Sequence, residues 1–341
     1  MSLIIPEGPL MVGWDITRMC NLRCKHCYAN AGKRHPMEFS IEEIRNIVDE
    51  LSGLGTVVIA IAGGEPLMRR DLPDIVSYIK SKGMEIFLNT NGTLINKKIV
   101  EELMEAGLKQ IEISFDGLEE DHDFIRGKDT FRKAMEGFKI CKESGLQVGV
   151  MSTLFKHNYN KVADLIDYFY NKGVIGVGFL RFISSGRGTQ NRSLALTPDE
   201  RRKAIEDVYK KRLQYGESFY LKVETPLSFL VAMNYEELMN KHKYLNVVDR
   251  SCDGGITSCQ ILCDGTVTFC PQMNKGNFNL HDYKMKYIWD EDEYFKKLRT
   301  REIKGKCGRC EYSRKCGGCR IEAFIHTGDI LDEDPGCWLN C

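Results

Sequence analysis

Through the first two-thirds of the chain, short β-branched apolar runs alternate with longer stretches whose apolar residues recur every three or four positions. The runs Met11–Ile16, Thr56–Ile61, Glu85–Leu88, Gln110–Phe115, Gln147–Ser152 and Gly176–Phe182 read as strands. After the first of them, Ile41, Ile44, Val48 and Leu51 share one helical face behind Ser40-Ile41-Glu42-Glu43. That opening is a capping box, in which the Ser hydroxyl and the Glu carboxylate satisfy free backbone N–H groups. Later helices are expected to start near Asp71, Asn96, Thr130 and Asn160 and to stop near Gly83, Gly107, Gly145 and Gly173. A sixth begins at Thr197-Pro198-Asp199-Glu200, with proline in the first turn. Strands alternating with helices predict a parallel sheet, and six units fall short of the eight that close a full barrel. The expected fold class is therefore α/β, a partial (β/α)6 TIM-like barrel followed by a small cysteine-rich domain. The expected division is residues 1–195 for the barrel, 196–245 for a helical bridge and 246–341 for the cysteine-rich domain.

Composition narrows the function classes. Hydrophobic residues make up 43% of the 341, enough for an ordinary core. Lys+Arg and Asp+Glu both number 48, so no global field favours nucleic acid or an anionic membrane. Met1-Ser2-Leu3-Ile4-Ile5-Pro6 lacks the basic and apolar segments of a signal peptide, and no apolar run is long enough to span a bilayer. Of 14 cysteines, ten lie between Cys252 and Cys341. In a secreted chain they would read as disulfides; with paired C-x2-C spacings and no export signal, metal ligation in a cytoplasmic protein is expected.

The run Cys20-Asn21-Leu22-Arg23-Cys24-Lys25-His26-Cys27 carries the most chemistry. Thiolates usually hold all four irons of a [4Fe–4S] cluster. C-x3-C-x2-C supplies three, with no fourth nearby, and leaves one iron open. The amino and carboxylate groups of S-adenosylmethionine can chelate such an iron, and one electron then cleaves the sulfonium to a 5′-deoxyadenosyl radical. A zinc site or partial disulfide set is the alternative, but zinc ligands normally come as two separated pairs.

Strand ends add small polar groups. The second strand runs into Gly63-Gly64-Glu65-Pro66, where glycines permit close backbone approach and the carboxylate can accept from an ammonium. The third ends in Asn89-Thr90-Asn91-Gly92, the fourth in Ser114-Phe115-Asp116-Gly117, and Arg126 follows in a loop. Plain β-turn chemistry is the competing reading of each.

Together these residues resemble the radical SAM superfamily. Cys20, Cys24 and Cys27 match its cysteine signature, with His26 in the aromatic slot, and Gly63, Gly64, Glu65 and Pro66 match its GGEP motif. The resemblance spans residues 10 to about 190. It implies that Glu65 meets the ammonium of S-adenosylmethionine, Asn89 and Ser114 its ribose, and Arg126 its carboxylate. The C-terminal third looks like a SPASM domain, which carries two auxiliary [4Fe–4S] clusters. By that likeness Cys252, Cys259, Cys270 and Cys319 bind one, and Cys307, Cys310, Cys316 and Cys337 the other. The sequence departs from the pattern in its final C-x2-C and in placing Cys263 before Asp264-Gly265, so Cys259 or Cys263 is the extra ligand. Cys341 is unassigned. A zinc ribbon is the alternative for Cys307–Cys319. Cys141 shares a helix face with Phe131, Ala134 and Phe138 and reads as core.

Cys316-Gly317-Gly318-Cys319-Arg320 and Asp332-Glu333-Asp334-Pro335-Gly336-Cys337 look like the radical SAM enzymes of alternative haem and haem d1 synthesis. That likeness implies a small-molecule porphyrinoid substrate whose acidic side chains are removed or altered, and an electron donor such as ferredoxin or flavodoxin. Arg181 and Arg187 are candidate partners for substrate carboxylates. The main rival group matures ribosomally made peptides through thioether or carbon–carbon crosslinks. Those enzymes often begin with a peptide-binding domain, for which no room precedes Met11, although a separate peptide-binding partner could supply it. Sulfatase-maturing relatives carry an aspartate where Pro271 stands. A non-enzymatic Fe–S electron carrier is the third reading; such carriers ligate every iron and need no GGEP motif.

Overall fold

The structure is a computed structural model that describes residues 5–216, 218–232 and 252–339. Cys341 and residues 233–245 of the expected bridge lie outside them. Ten strands form one sheet among the described residues, in the order β10-β9-β8-β1-β2-β3-β4-β5-β6-β7. They are β1 Met11–Asp15, β2 Val58–Ala62, β3 Glu85–Thr90, β4 Gln110–Ser114, β5 Gln147–Leu154, β6 Gly176–Arg181, β7 Tyr220–Glu224, β8 Ser258–Ile261, β9 Thr266–Thr268 and β10 Phe278–Asn279. Every pair from β8 through β1 to β7 is parallel, and β9 and β10 turn back antiparallel.

The helices are α1 Ile41–Gly53, α2 Leu72–Ser81, α3 Lys97–Glu105, α4 Glu119–Arg126, α5 Thr130–Glu143, α6 Val162–Tyr170, α7 Pro198–Tyr215, α8 Ser228–Ala232, α9 Met285–Glu291, α10 Glu293–Thr300, α11 Gly305–Arg309 and α12 Arg320–Thr327. Both expected capping boxes form, Ser40 with Glu43 and Thr197 with Glu200. Asn96 caps α3 by accepting from the Ile99 N–H. Asn160 does not cap α6, which starts behind Lys161; the nearby turn is closed instead by Asn158 accepting from the Phe155 N–H.

Alternation along the strands sends two sets of side chains to opposite faces. Val12, Trp14, Ile59, Ile61, Ile86, Leu88, Ile111 and Ile113 join Ile44, Val48, Leu51, Ile75 and Ile79 of the helices in one buried core. Each such aliphatic side chain contributes about 1.5–3 kcal/mol on full burial. Asp15, Asn89, Glu112 and Ser114 take the other face, which their strand ends present to the loops that carry the site. Cys141 is fully buried in the core, as its helix face implied.

Three elements exceed the sequence reading. Arg126 ends helix α4 rather than lying in a loop. Strand β7, within the segment read as helical, pairs parallel with β6. Strand β8 pairs parallel with β1, so the cysteine-rich segment extends the same sheet. Its helices also dock on the barrel: the Trp289 indole donates to the Pro6 carbonyl at 3.0 Å and the Lys286 N–H to Glu50 at 3.2 Å.

Candidate active site

The loop after β1 gathers Cys20, Cys24 and Cys27: burial raises the pKa of Cys20 and Cys24, with Cys27 adding to the rise of Cys20, and Cys27 and Cys20 to that of Cys24. Burial is the larger cause and pushes Cys24 up to about 12. Two N–H groups already point at sulfur, Leu22 at Cys20 and Ala31 at Cys27, both at 3.4 Å. Three thiols, two of them already met by N–H groups, fit an open-iron cluster, in which hydrogen bonds to sulfur tune the potential.

Glycines explain how the second strand end reaches this loop. The Gly64 N–H donates to the Thr17 carbonyl and the Glu65 N–H to the Met19 carbonyl, both at 2.7 Å. A Cβ on Gly64 would lie 2.2 Å from the Met19 oxygen, and one on Gly63, at φ +134°, 2.4 Å from the Thr17 oxygen. Only glycine allows that approach. Glu65 is fully buried, and Pro66 opens the short turn after it. Glu65 Oε1 accepts from Thr90 at 2.7 Å and the Leu67 N–H at 3.1 Å, and its Oε2 from the Asn91 N–H at 2.8 Å. A carboxylate offers about four acceptor sites, so one remains for an incoming donor. Burial raises its pKa, and these hydrogen bonds work against the rise. Asn91 also bonds Asn21 of the cysteine loop at 2.9 Å.

Asp116, just past β4, ties His26 and Arg126 together. Its Oδ2 lies 2.6 Å from Arg126 Nε and 3.3 Å from His26 Nε2, while Oδ1 accepts from the Thr153 N–H at 2.7 Å. Burial alone would raise this carboxyl, but Arg126, then the histidines, hold it at about 2. Burial lowers His26 to about 4 against the pull of Asp116, leaving it neutral near pH 7. His26 Nδ1 is buried without a hydrogen-bond partner among the described residues, a polar atom suited to a bound group. Asn89 and Ser114 sit near the ends of adjacent strands on the face that carries Glu112. The sequence reading named Asp116 only within the polar strand end Ser114–Gly117, with no role of its own; its position directly after a strand, followed by glycine, was the available signal.

The two arginines proposed for substrate are both occupied by the protein. Arg187 donates from Nε to the Cys24 carbonyl and from Nη1 to the Ala31 carbonyl and Asn30 Oδ1, each at 3.0 Å. It braces the cysteine loop. Arg181 is 7% exposed and forks onto Asp334 at 3.1 Å through both Nη atoms. Its Nε lies 2.9 Å from Glu322 Oε1. Arg181 also borders a small cleft with Phe182 and Arg201, and Arg187 is half-buried.

The C-terminal cysteines fall into two sets. Cys307, Cys310, Cys316 and Cys337 line one cleft of about 320 Å³. Cys252, Cys270 and Cys319 form the other, near enough that Cys319 raises both partners. Cys259 shows no such coupling: burial raises its thiol, and it belongs to the same buried core as Ile261 and Val267. Strand alternation puts Cys259 on the face of Ile261, which the sequence spacing could not reveal. Cys263 neighbours Asp15, Asp264 and Glu38 instead. Among the described residues no three His, Cys, Asp or Glu side chains form a cage for a single metal ion. No described helix is long and apolar enough to cross a membrane.

Residues 14–169 match the model of the radical SAM superfamily. An AdoMet-dependent heme synthase of Oleidesulfovibrio alaskensis is 30% identical over 96% of this chain and 86% of its own. An Fe-coproporphyrin III synthase of Methanosarcina barkeri is 31% identical over 98% of this chain and 88% of its own. A mycofactocin maturase, MftC, of Mycolicibacterium smegmatis is 29% identical over 97% and 83%. The crystal structure of Streptococcus suis SuiB bound to precursor peptide SuiA shares the fold, with TM-score 0.79, 18% identity and coverage of 98% and 77%. The cysteine loop, the glycine-backed Glu65 and these relatives agree: the chain is an enzyme of the radical SAM superfamily.

Proposed function

We propose that this enzyme removes or alters an acidic side chain of an iron porphyrinoid in haem-type cofactor synthesis. The carrying observation is the end-to-end likeness to a heme synthase and an Fe-coproporphyrin III synthase, cysteine-rich third included. Cys20, Cys24 and Cys27 would hold the open [4Fe–4S] cluster. The spare acceptor site of Glu65 would take the ammonium of S-adenosylmethionine, and Arg126, fixed by Asp116, its carboxylate. Asn89 and Ser114 would meet the ribose, and the neutral His26 would offer Nδ1 beside it. When bound, this pair supplies a 5′-deoxyadenosyl radical that takes hydrogen from substrate. The two C-terminal cysteine sets would hold auxiliary [4Fe–4S] clusters that exchange an electron with the substrate, and a ferredoxin or flavodoxin would be the donor.

This reading gives Arg181 and Arg187 no part in substrate recognition, since Arg181 pairs with Asp334 and Glu322 and Arg187 bonds the cysteine loop. Anaerobic incubation with iron-coproporphyrin and with didecarboxysirohaem, followed by mass spectrometry, tests the reading. Loss of carbon dioxide or acetate from either supports it. No porphyrinoid mass change, with deuterium passing from a peptide into 5′-deoxyadenosine, would move the function to peptide maturation.

A further inference from the structure

Asp334 stands between the two C-terminal cysteine sets and touches both. Its own N–H points at Cys307 Sγ at 3.3 Å, while its Oδ2 accepts from the Cys319 N–H at 2.8 Å. Oδ1 accepts from the Gly336 N–H at 2.8 Å, one residue before Cys337. One fully buried residue thus contacts a member of each set, Cys307 through its backbone N–H and Cys319 through its carboxylate. The counter-charge comes from the barrel: Arg181, last residue of β6, grips both oxygens at 3.1 Å across 153 positions of sequence. The close fit depends on Gly318, where a Cβ would lie 2.7 Å from Asp334 Cβ and 3.1 Å from Cys307 Sγ.

A buried ion pair is weak evidence of stabilisation, because desolvation offsets most of the attraction. What it does impose is geometry. A bidentate guanidinium–carboxylate fork fixes distance and orientation, here between the strand that ends beside the site and the backbone that carries Cys307, Cys319 and Cys337. Charge and N–H···S bonds next to a cluster also set its reduction potential.

We propose that Arg181 and Asp334 are positioning residues that fix both C-terminal cysteine sets against the barrel and set the reduction potential of the clusters they hold. The proposal rests on the auxiliary-cluster reading above. A negative carboxylate beside a cluster opposes the incoming electron, and the guanidinium favours it. Neutralising Asp334 alone removes one of the two carboxylates facing Arg181, leaving Glu322, and should raise the potential. Neutralising both should bring it back.

The test is redox-poised electron paramagnetic resonance on the full chain after anaerobic reconstitution, in a Cys20/Cys24/Cys27→Ala background that isolates the auxiliary signals. That background should hold about eight irons, four for each cluster. Asp334→Asn should shift an auxiliary midpoint to more positive potential, and Arg181→Gln with Asp334→Asn should return it toward the starting value. Loss of auxiliary iron from Asp334→Asn, with the background still loaded, also supports positioning. Unaltered iron, spectra and midpoints in Asp334→Asn overturn the proposal; if iron-coproporphyrin binding then fails in Arg181→Gln, the arginine is a substrate clamp. Absence of iron from the background itself would instead refute the auxiliary clusters, a separate failure.

Discussion

Replacing Arg187 separates two roles that make opposite forecasts. A substrate clamp could be removed without harm to substrate-free cleavage of S-adenosylmethionine. A brace for the cysteine loop could not. The structure gives Arg187 three donated hydrogen bonds, to the Cys24 carbonyl, the Ala31 carbonyl and Asn30 Oδ1. Hydrogen bonds involving a charged group contribute about 1.5–3 kcal/mol each when shielded. The contact to Asn30 is exposed and is discounted, so Arg187→Ala should cost the ordered loop about 3 kcal/mol, roughly a hundredfold in its population. Arg187→Lys keeps the charge but loses the planar fork and should fall between. The assay is 5′-deoxyadenosine formation under dithionite without substrate, read beside iron content. Arg187→Ala should lower both, and Arg187→Lys less. Unchanged substrate-free cleavage in Arg187→Ala would refute the brace and return Arg187 to the substrate.

Gly64→Ala should force the second strand end off the cysteine loop, because its Cβ would meet the Met19 oxygen at 2.2 Å and the Arg18 oxygen at 2.7 Å. Overpacking of this kind costs about 1–3 kcal/mol, so thermal melting should drop and calorimetry should show weakened S-adenosylmethionine binding. Asp15 gives a pH signature: burial, partly offset by hydrogen bonds from Tyr28 and Gln260, raises its carboxyl from 3.8 to about 7. The folded chain then binds this proton more tightly than the unfolded chain, so its contribution to stability falls as pH rises from about 4 to about 7, by at most about 4 kcal/mol. Urea melts of the metal-free chain at pH 5 and pH 7 should show that fall, and Asp15→Asn should flatten it; an equal slope in both would refute the assignment.

The six barrel strands and both capping boxes were legible because period-two apolar runs, Ser40/Glu43 and Thr197/Glu200 are local signals. Strand β7 was not: Tyr220-Leu221-Lys222-Val223-Glu224 is short and two of its five residues are charged, although Gly216 precedes it as glycines precede other strands. Strand β8 was hidden by its cysteine, which the SPASM likeness offered, with Cys263, to a cluster, while the β1 ladder turned it into the core. The cysteine loop and Gly63–Pro66 were readable because their chemistry lies in contiguous residues. Asp116 and Asp334 were missed as organisers because their partners stand ten to 153 positions away. Arg181 shows the same limit in reverse: a lone arginine at a strand end looks free for substrate until the fold brings Asp334 and Glu322 to it.

The measurement that bears most directly on the open-iron account is 5′-deoxyadenosine formation by the anaerobically reconstituted chain and by Cys24→Ala, with iron counted in both. The account predicts about twelve irons in the unaltered chain, about four fewer in the variant, and cleavage of S-adenosylmethionine under dithionite by the first only. Sustained cleavage by Cys24→Ala, or stoichiometric zinc in place of the missing iron, would contradict it.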